Sequence, residues 1–266
     1  MKKRRALFLT LPIILLLIIS FPTGFFVREY RQERMERQLI QAVKRQDASA
    51  VLSLLAHGAD ANAQDKPPDP RPVWRILLDR LQGKRSPPSQ APTALLVALA
   101  SEPEPSAGSV HVETAPLIRA LLDRGANLHI LAENGDTPLI MAARMGSVGT
   151  VGQLLDHGAN VNATNGGHTA LMEAIRWGSE GDQDHAAVCT LLLQRGANPN
   201  IRREGDGFTP LMCALYGQHE HAARLLLQWK ADVNVGWQEH AKTALDCAYY
   251  HLPSFVPILK QAGAKE

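Results

Sequence analysis

The stretch NGDTPLIMAARMG, residues 134–146, joins a Gly-Asp turn to a Thr-Pro step and a short apolar run. Thr137 suits a helix N-cap, because its hydroxyl can accept from a free amide of the first turn, and Pro138 suits the next position, where no amide donor is required. A helix therefore starts at Pro138. Leu139, Met141 and Ala142 can face its core side, and Gly146 can end it in the left-handed conformation. VGTVGQLLDH, residues 148–157, supplies a second helix that Gly158 ends.

The stretch has copies. Thr137-Pro138-Leu139 recurs as Thr169-Ala170-Leu171, Thr209-Pro210-Leu211 and Thr243-Ala244-Leu245, with an earlier copy at Thr93-Ala94-Leu95. A second phrase alternates with it: LLAHGA at 54, LLDRGA at 121, LLDHGA at 154, LLQRGA at 192, then the variants LLQWKA at 226 and LKQAGA at 259. The glycines at 58, 125, 158 and 196, Lys230 in the same slot and Gly263 are separated by 67, 33, 38, 34 and 33 residues. The unit is therefore about 33 residues, a period that signals a repeat architecture. The 38-residue gap holds an acidic turn, SEGDQD. The 67-residue gap holds the Pro-rich runs KPPDPRP, SPPSQAP and SEPEPSAG. It is either one unit with two inserts or a unit plus a degenerate repeat, because WRILLDRLQGK at 74–84 echoes LLDR at 121–124.

GANVNATNGGHTALMEA (158–174), GANPNIRREGDGFTPLMCA (196–214) and GADANAQD (58–65) share the pattern G-A-[DN]-x-N followed by G-x-T-P-L-x-x-A. This pattern resembles the ankyrin repeat, from about residue 33 to 266. The resemblance implies an all-α solenoid of stacked helix-turn-helix units with β-hairpin-like loops, used for binding other proteins. The residues support the same architecture directly. One unit cannot bury its own apolar face, so stability must come from stacking on neighbours, and terminal units should be atypical. Residues 33–57 read as an N-terminal helix pair, with Met35, Leu39 and Val43 at four-residue spacing and Glu33 placed to pair with Arg37 outside. The C-terminal unit carries Pro253 and Pro257.

Ahead of the repeats, MKKRR is followed by 22 uncharged positions, residues 6–27. A helix of that length spans about 33 Å, enough for about 30 Å of bilayer hydrocarbon. A cleavable signal peptide would need a small-x-small site, and the best candidate puts Pro22 at the outer small position, so an uncleaved anchor is expected. Lys2, Lys3, Arg4 and Arg5 favour a cytoplasmic N-terminus; Arg28, Arg31, Arg34 and Arg37 pull the other way, and the basic start decides. The expected layout is a basic cytoplasmic tail (1–5), a transmembrane signal anchor (6–27) and a repeat domain (28–266) of about six units, with inserts near 64–92 and 101–112. The repeat domain is expected outside the cytoplasm, which in a bacterium means the periplasm.

Charge and motifs narrow the function. Residues 1–37 hold eight Lys/Arg against three Asp/Glu, which leaves 20 basic and 23 acidic residues in the remainder. A nucleic-acid partner is therefore not expected, since phosphate binding needs clustered positive charge on the folded domain. There is no nucleophile elbow and no phosphate loop; GKRS at 83–86 lacks the upstream glycine. Cys213 and Cys247 occupy equivalent buried positions one repeat apart, on the order of 10 Å, too far for a disulfide, and Cys189 is a further inert thiol. His185 and Cys189 share a helix face but lack companion ligands. His57 and His157 precede glycine stops, where they can favour a helix C-terminus. Asn162-Ala163-Thr164 fits a glycosylation sequon but also holds a repeat position. No metal and no cofactor is expected.

Within the repeat frame, positions one before, three after and seven after the Thr are four apart and are expected to share an exposed face lining the concave side. These rows read Asp136, His168, Phe208, Lys242; then Ile140, Met172, Met212, Asp246; then Arg144, Arg176, Tyr216, Tyr250. Arg and aromatic residues dominate interface hot spots. Hairpin tips add Arg202, Arg203 and Trp237. The expected function is a membrane-tethered module that binds another protein through these residues, in one form an inhibitor or immunity-like protein. The alternatives are a small metal-dependent enzyme using His185 and Cys189, or a self-associating envelope organiser.

Overall fold

The computed structural model describes residues 27–67, 91–101, 114–178, 183–235 and 243–265. The apolar run before residue 27, the segment 74–84, Trp237 and Lys242 lie outside the described residues. Among the described residues, no helix is long and apolar enough to cross a membrane.

Helices follow one another in pairs: α1 (27–44) with α2 (Ala48–Ala56), α3 (Ala94–Ala100) with α4 (Ala115–Asp123), α5 (Pro138–Arg144) with α6 (Val148–Asp156). The chain continues with α7 (Ala170–Trp177) and α8 (Gln183–Gln194), α9 (Pro210–Tyr216) and α10 (Glu220–Gln228), then α11 (Ala244–His251) and α12 (Val256–Gln261), the last two joined by a 3-10 turn at Pro253–Phe255. The first helices α3, α5, α7, α9 and α11 stack on one another as an inner row, and α2, α4, α6, α8 and α10 stack as an outer row.

The cap chemistry starts four of the inner helices; Thr93, ahead of α3, makes no such bond. Thr137, Thr169 and Thr209 are extended, and their hydroxyls accept from the amides of Ile140, Met172 and Met212 at 3.2, 3.2 and 3.3 Å. Thr243 does the same for Asp246, whose carboxylate accepts in return from the Thr243 amide at 2.7 Å, a complete capping box. Behind the caps, two columns run through the stack. Leu95, Leu139, Leu171, Leu211 and Leu245 are buried, and so are Ala98, Ala142, Ala174, Ala214 and Ala248. The alanines let neighbouring inner helices approach, and each buried leucine contributes about 1.5–3 kcal/mol.

The same stacking corrects the second expected row. Ile140, Met172 and Met212 are buried at 0, 1 and 1% exposure, and Asp246 is used in its capping box. An inner helix is flanked by inner neighbours on both sides and by its own outer helix behind. Only a narrow stripe near its C-terminal end therefore stays open.

Within the 67-residue gap the described chain closes on itself. Ala94 donates its amide to the Ala63 carbonyl at 2.8 Å, Asp65 donates to Pro92 at 2.8 Å, and Gln64 bridges Thr93, so the chain re-enters the fold where it left. Among the described residues, α2 packs directly on α4.

The loops are tied by an asparagine ladder. Asn62 donates to the Gly125 carbonyl at 3.1 Å and accepts from the Asn127 amide at 2.7 Å. Asn162 makes the same pair with Gly196 and Asn198 at 3.2 and 2.8 Å, and Asn234 with Gly263 and Lys265 at 3.0 and 2.9 Å. Asn162 of the sequon is thus a rung, its amide engaged with the next unit. Asn200 accepts from Asp232 at 2.8 Å. In the loop between α4 and α5 the rung position is His129, which is exposed, and among the described residues no side chain joins Gly158 to Asn160. A cavity of about 110 Å³ lies there, lined in part by His129, Leu128, Thr137 and Asn160.

The slot after each outer helix is left-handed, with φ of 79–94° at Gly58, Gly125, Gly158, Gly196 and Gly263. A Cβ at any of these would meet nothing within 4 Å, so the glycines answer to backbone conformation alone. Lys230 fits the same slot at φ 58° because the space is open.

Candidate functional site

The open stripe of the inner row centres on a residue the sequence frame passed over. Glu173, in α7, stands four residues after its Thr, a column that otherwise reads Val97, Met141, Cys213 and Cys247. A carboxylate in an apolar column was the available signal. Glu173 is buried, and its oxygens are taken by Arg144 Nε at 3.0 Å, His168 Nδ1 at 3.0 Å, Trp177 Nε1 at 3.2 Å and Arg176 at 3.8 Å. A buried charge persists only when paired in this way.

Arg144 joins this centre to the preceding hairpin. Its Nη2 donates to Asp136 at 2.5 Å, while Asn134 and Asn165 donate to the same carboxylate at 2.6 and 2.9 Å. Asp136 is buried, which corrects its expected role as an exposed contact: it positions Arg144 and the hairpins. Partial burial opposes the charge on Arg144, yet Glu173 and Asp136 together hold its pKa above the ordinary value. The Arg144 guanidinium lies 6.0 Å from the centre of the Trp177 ring. Trp177 and Arg176 are exposed at the rim.

The hairpins are in register with this cluster. Thr164–Asn165 pairs antiparallel with His168–Thr169, and Glu204 of the next hairpin donates its amide to the Gly166 carbonyl at 3.2 Å. Gly167, φ 81°, allows the approach, since a Cβ there would come within 2.1 Å of the Glu204 nitrogen. In the next unit Arg203 is half-buried and bonded through both nitrogens to Asp206, with Nε at 2.8 Å, so it staples its hairpin and is not a free tip. Arg203 accordingly holds the Asp206 carboxyl below its ordinary value. Its guanidinium stacks 5.1 Å over Phe208, Phe208 meets Tyr216 edge-on at 5.9 Å, and Tyr216 lies 4.4 Å from the His251 ring.

The expected residues therefore fall into groups. Arg144, His168 and Arg176 meet at Glu173, with Asp136 joined through Arg144; Arg203, Phe208 and Tyr216 form an adjoining aromatic cluster; Tyr250 stands further along at 78% exposure, and Arg202 is exposed on its loop. Glu173, Trp177, Asp206 and His251 were not anticipated.

The candidate metal pair has other work. His185 is buried and donates from Nε2 to the Arg144 carbonyl at 2.9 Å, closing the C-terminal end of α5. It also fills the space beside Gly146 and Gly178, where a Cβ would come within 2.9 and 2.8 Å of it. Among the described residues no three His, Cys, Asp or Glu side chains gather in a way that could hold a metal ion. All three cysteines are free thiols, and burial pushes Cys213 up to about 12. His57 and His157 bond the Ser53 and Gln153 carbonyls at 2.7 and 2.8 Å, each at the end of its outer helix.

A family model described as ankyrin repeats (3 copies) matches residues 109–203 and 181–265, together more than half of the chain. An ankyrin repeat protein of Fowlpox virus is 35% identical over 134 residues, 48% of this chain and 37% of that one. Ankyrin repeat, SAM and basic leucine zipper domain-containing protein 1 of Loxodonta africana is 38% identical over 106 residues, 39% of this chain and 21% of that one. The matches thus cover little more than a third of these relatives, or less. Among solved structures, an ankyrin repeat domain from Acinetobacter baumannii aligns with a TM-score of 0.66 at 22% identity, covering 86% of this chain and 100% of that one, a likeness of fold. The chain belongs to the ankyrin-repeat family, whose repeats are protein–protein interaction modules.

Proposed function

We propose that this chain is a membrane-tethered interaction module that binds a protein partner along the open stripe of its inner helices. The observation that carries the reading is the contrast on those helices: most positions are buried, while Arg176 and Trp177, beside an Arg144 held by two carboxylates, and Tyr216 and Tyr250 further along the row remain exposed. Exposed aromatic and Arg side chains on a rigid support are the groups that anchor interfaces. Residues 6–27 tether the module, and the basic start MKKRR keeps the N-terminus in the cytoplasm with the repeats outside it. An inhibitor or immunity-like role, masking a partner in the envelope, is the form this binding takes.

Capture from envelope extract with the full chain, compared with an Arg144→Ala, Arg176→Ala, Tyr216→Ala, Tyr250→Ala variant, tests the surface. Partners are expected to be lost; a folded variant that retains them all refutes it. Alkaline phosphatase fused after residue 266 is expected to be active, and an inactive, well-expressed fusion reverses the topology.

A further inference from the structure

We infer that the outer face of α1 lies on an anionic phospholipid surface. The inference rests on the membrane reading of residues 6–27, and the described part of α1 starts at residue 27, the last of that uncharged run. The inner side of the helix is fixed by Leu39, Ile40, Ala42 and Val43, all buried in the core.

The charges of α1 are sorted by face. Glu29, Glu33 and Glu36 are all half-buried, and burial raises the Glu36 carboxyl above its ordinary value. Arg28, Arg31, Arg34, Arg37, Lys44 and Arg45 are all exposed. Some of this charge is answered within the protein: Arg37 reaches Glu33 at 3.6 Å and Lys44 reaches Asp65 at 2.7 Å. Arg28, Arg31 and Arg34 stand at the end next to the anchor, where Val27 and Tyr30 are 61 and 65% exposed.

Positions 27, 30, 31, 34, 38 and 41 follow helical spacing along one stripe, and all are exposed and none acidic. An interfacial helix has this composition: an apolar and a Tyr contact at the headgroup level, then Arg side chains whose stems lie on the surface while their heads reach phosphate. A second copy or an apolar protein groove would require hydrophobic cover, and beyond Tyr30 the stripe offers Arg and Gln. The anchor also makes the encounter intramolecular, so modest attraction per charge suffices.

The test uses the full chain in nanodiscs of phosphatidylcholine with or without phosphatidylglycerol. A bimane label on Gln38→Cys, with the three native cysteines replaced by alanine, reports on α1, and a label on Glu204→Cys serves as the remote control. Acrylamide quenching at position 38 is expected to fall roughly threefold on anionic discs, to recover in about 0.5 M salt, and to stay unchanged at position 204. An Arg28→Gln, Arg31→Gln, Arg34→Gln chain, with its helicity checked by circular dichroism, is expected to lose the difference. Equal quenching on both discs by a chain that co-elutes with them overturns this inference alone. A chain that elutes free of discs overturns the anchor, and this inference with it.

Discussion

Replacing His129 by Asn should stabilise the solenoid. The rung at this position is missing: Asn62, Asn162 and Asn234 each donate to a glycine carbonyl of the next unit and accept from the amide two residues on, at 2.7–3.2 Å. His129→Asn would place the same amide opposite the Gly158 carbonyl and the Asn160 nitrogen, whose unit follows at the ordinary 33-residue spacing. Two hydrogen bonds at about 0.5–1.5 kcal/mol each, reduced by solvent exposure and by side-chain ordering, give about 1–2 kcal/mol. Urea unfolding read by circular dichroism would show the midpoint rise without a change in slope, and the melting temperature should rise by about 2–6 °C. Hydrogen exchange at the Asn160 amide should slow by a comparable factor. The reciprocal Asn162→His should lose about the same amount. A neutral or destabilised His129→Asn, beside an Asn162→His that does lose stability, would refute the claim that the rung alone is wanting there.

Three further outcomes are expected. Glu173→Ala removes the shared acceptor of Arg144, His168 and Trp177; because Arg144 keeps Asp136, the cost should sit near the low end for a broken buried pair, about 3 kcal/mol, and a loss under about 1 kcal/mol in urea unfolding would contradict the network. Lys230→Gly relieves a left-handed lysine in open space and should gain about 1 kcal/mol, while a loss would mean that the Lys230 side chain contributes more than its backbone costs. His157 has its pKa raised above 6.5, first by its bond to the Gln153 carbonyl and then by Asp123. Its contribution to stability is therefore complete below 6.5 and fades as pH rises through the folded value. NMR titration should place His157 above its ordinary value and Asp123→Asn should lower it; a titration at or below 6.5 would sink this account.

The fold was legible because the signals that set it are local and repeated. A Thr, a Pro or Ala after it and a left-handed stop recur every 33–38 residues beyond the 67-residue gap, so even the Lys230 exception could be placed in its slot. The proposed binding surface was less legible because helical spacing gives a direction without giving the neighbours. Positions 140, 172 and 212 point the way the frame requires, but stacked inner helices close over them. Asp136 looked like a contact residue because it precedes the cap, yet its partners Arg144 and Asn165 come from eight residues on and from the next unit. Glu173 stood visible as a charge in an apolar column; its meaning needed three other side chains to be brought within bonding distance.

The closed neck at Ala63–Ala94 and Gln64–Thr93 has a consequence for how this protein can change. The backbone bonds Ala94–Ala63 and Asp65–Pro92 hold residues 63–65 and 92–94 together, so the first and second units register through the neck itself. That makes the neck a port, where lineage or engineer can add a processing site, a tag or a new contact to the module without rewriting the repeats on either side.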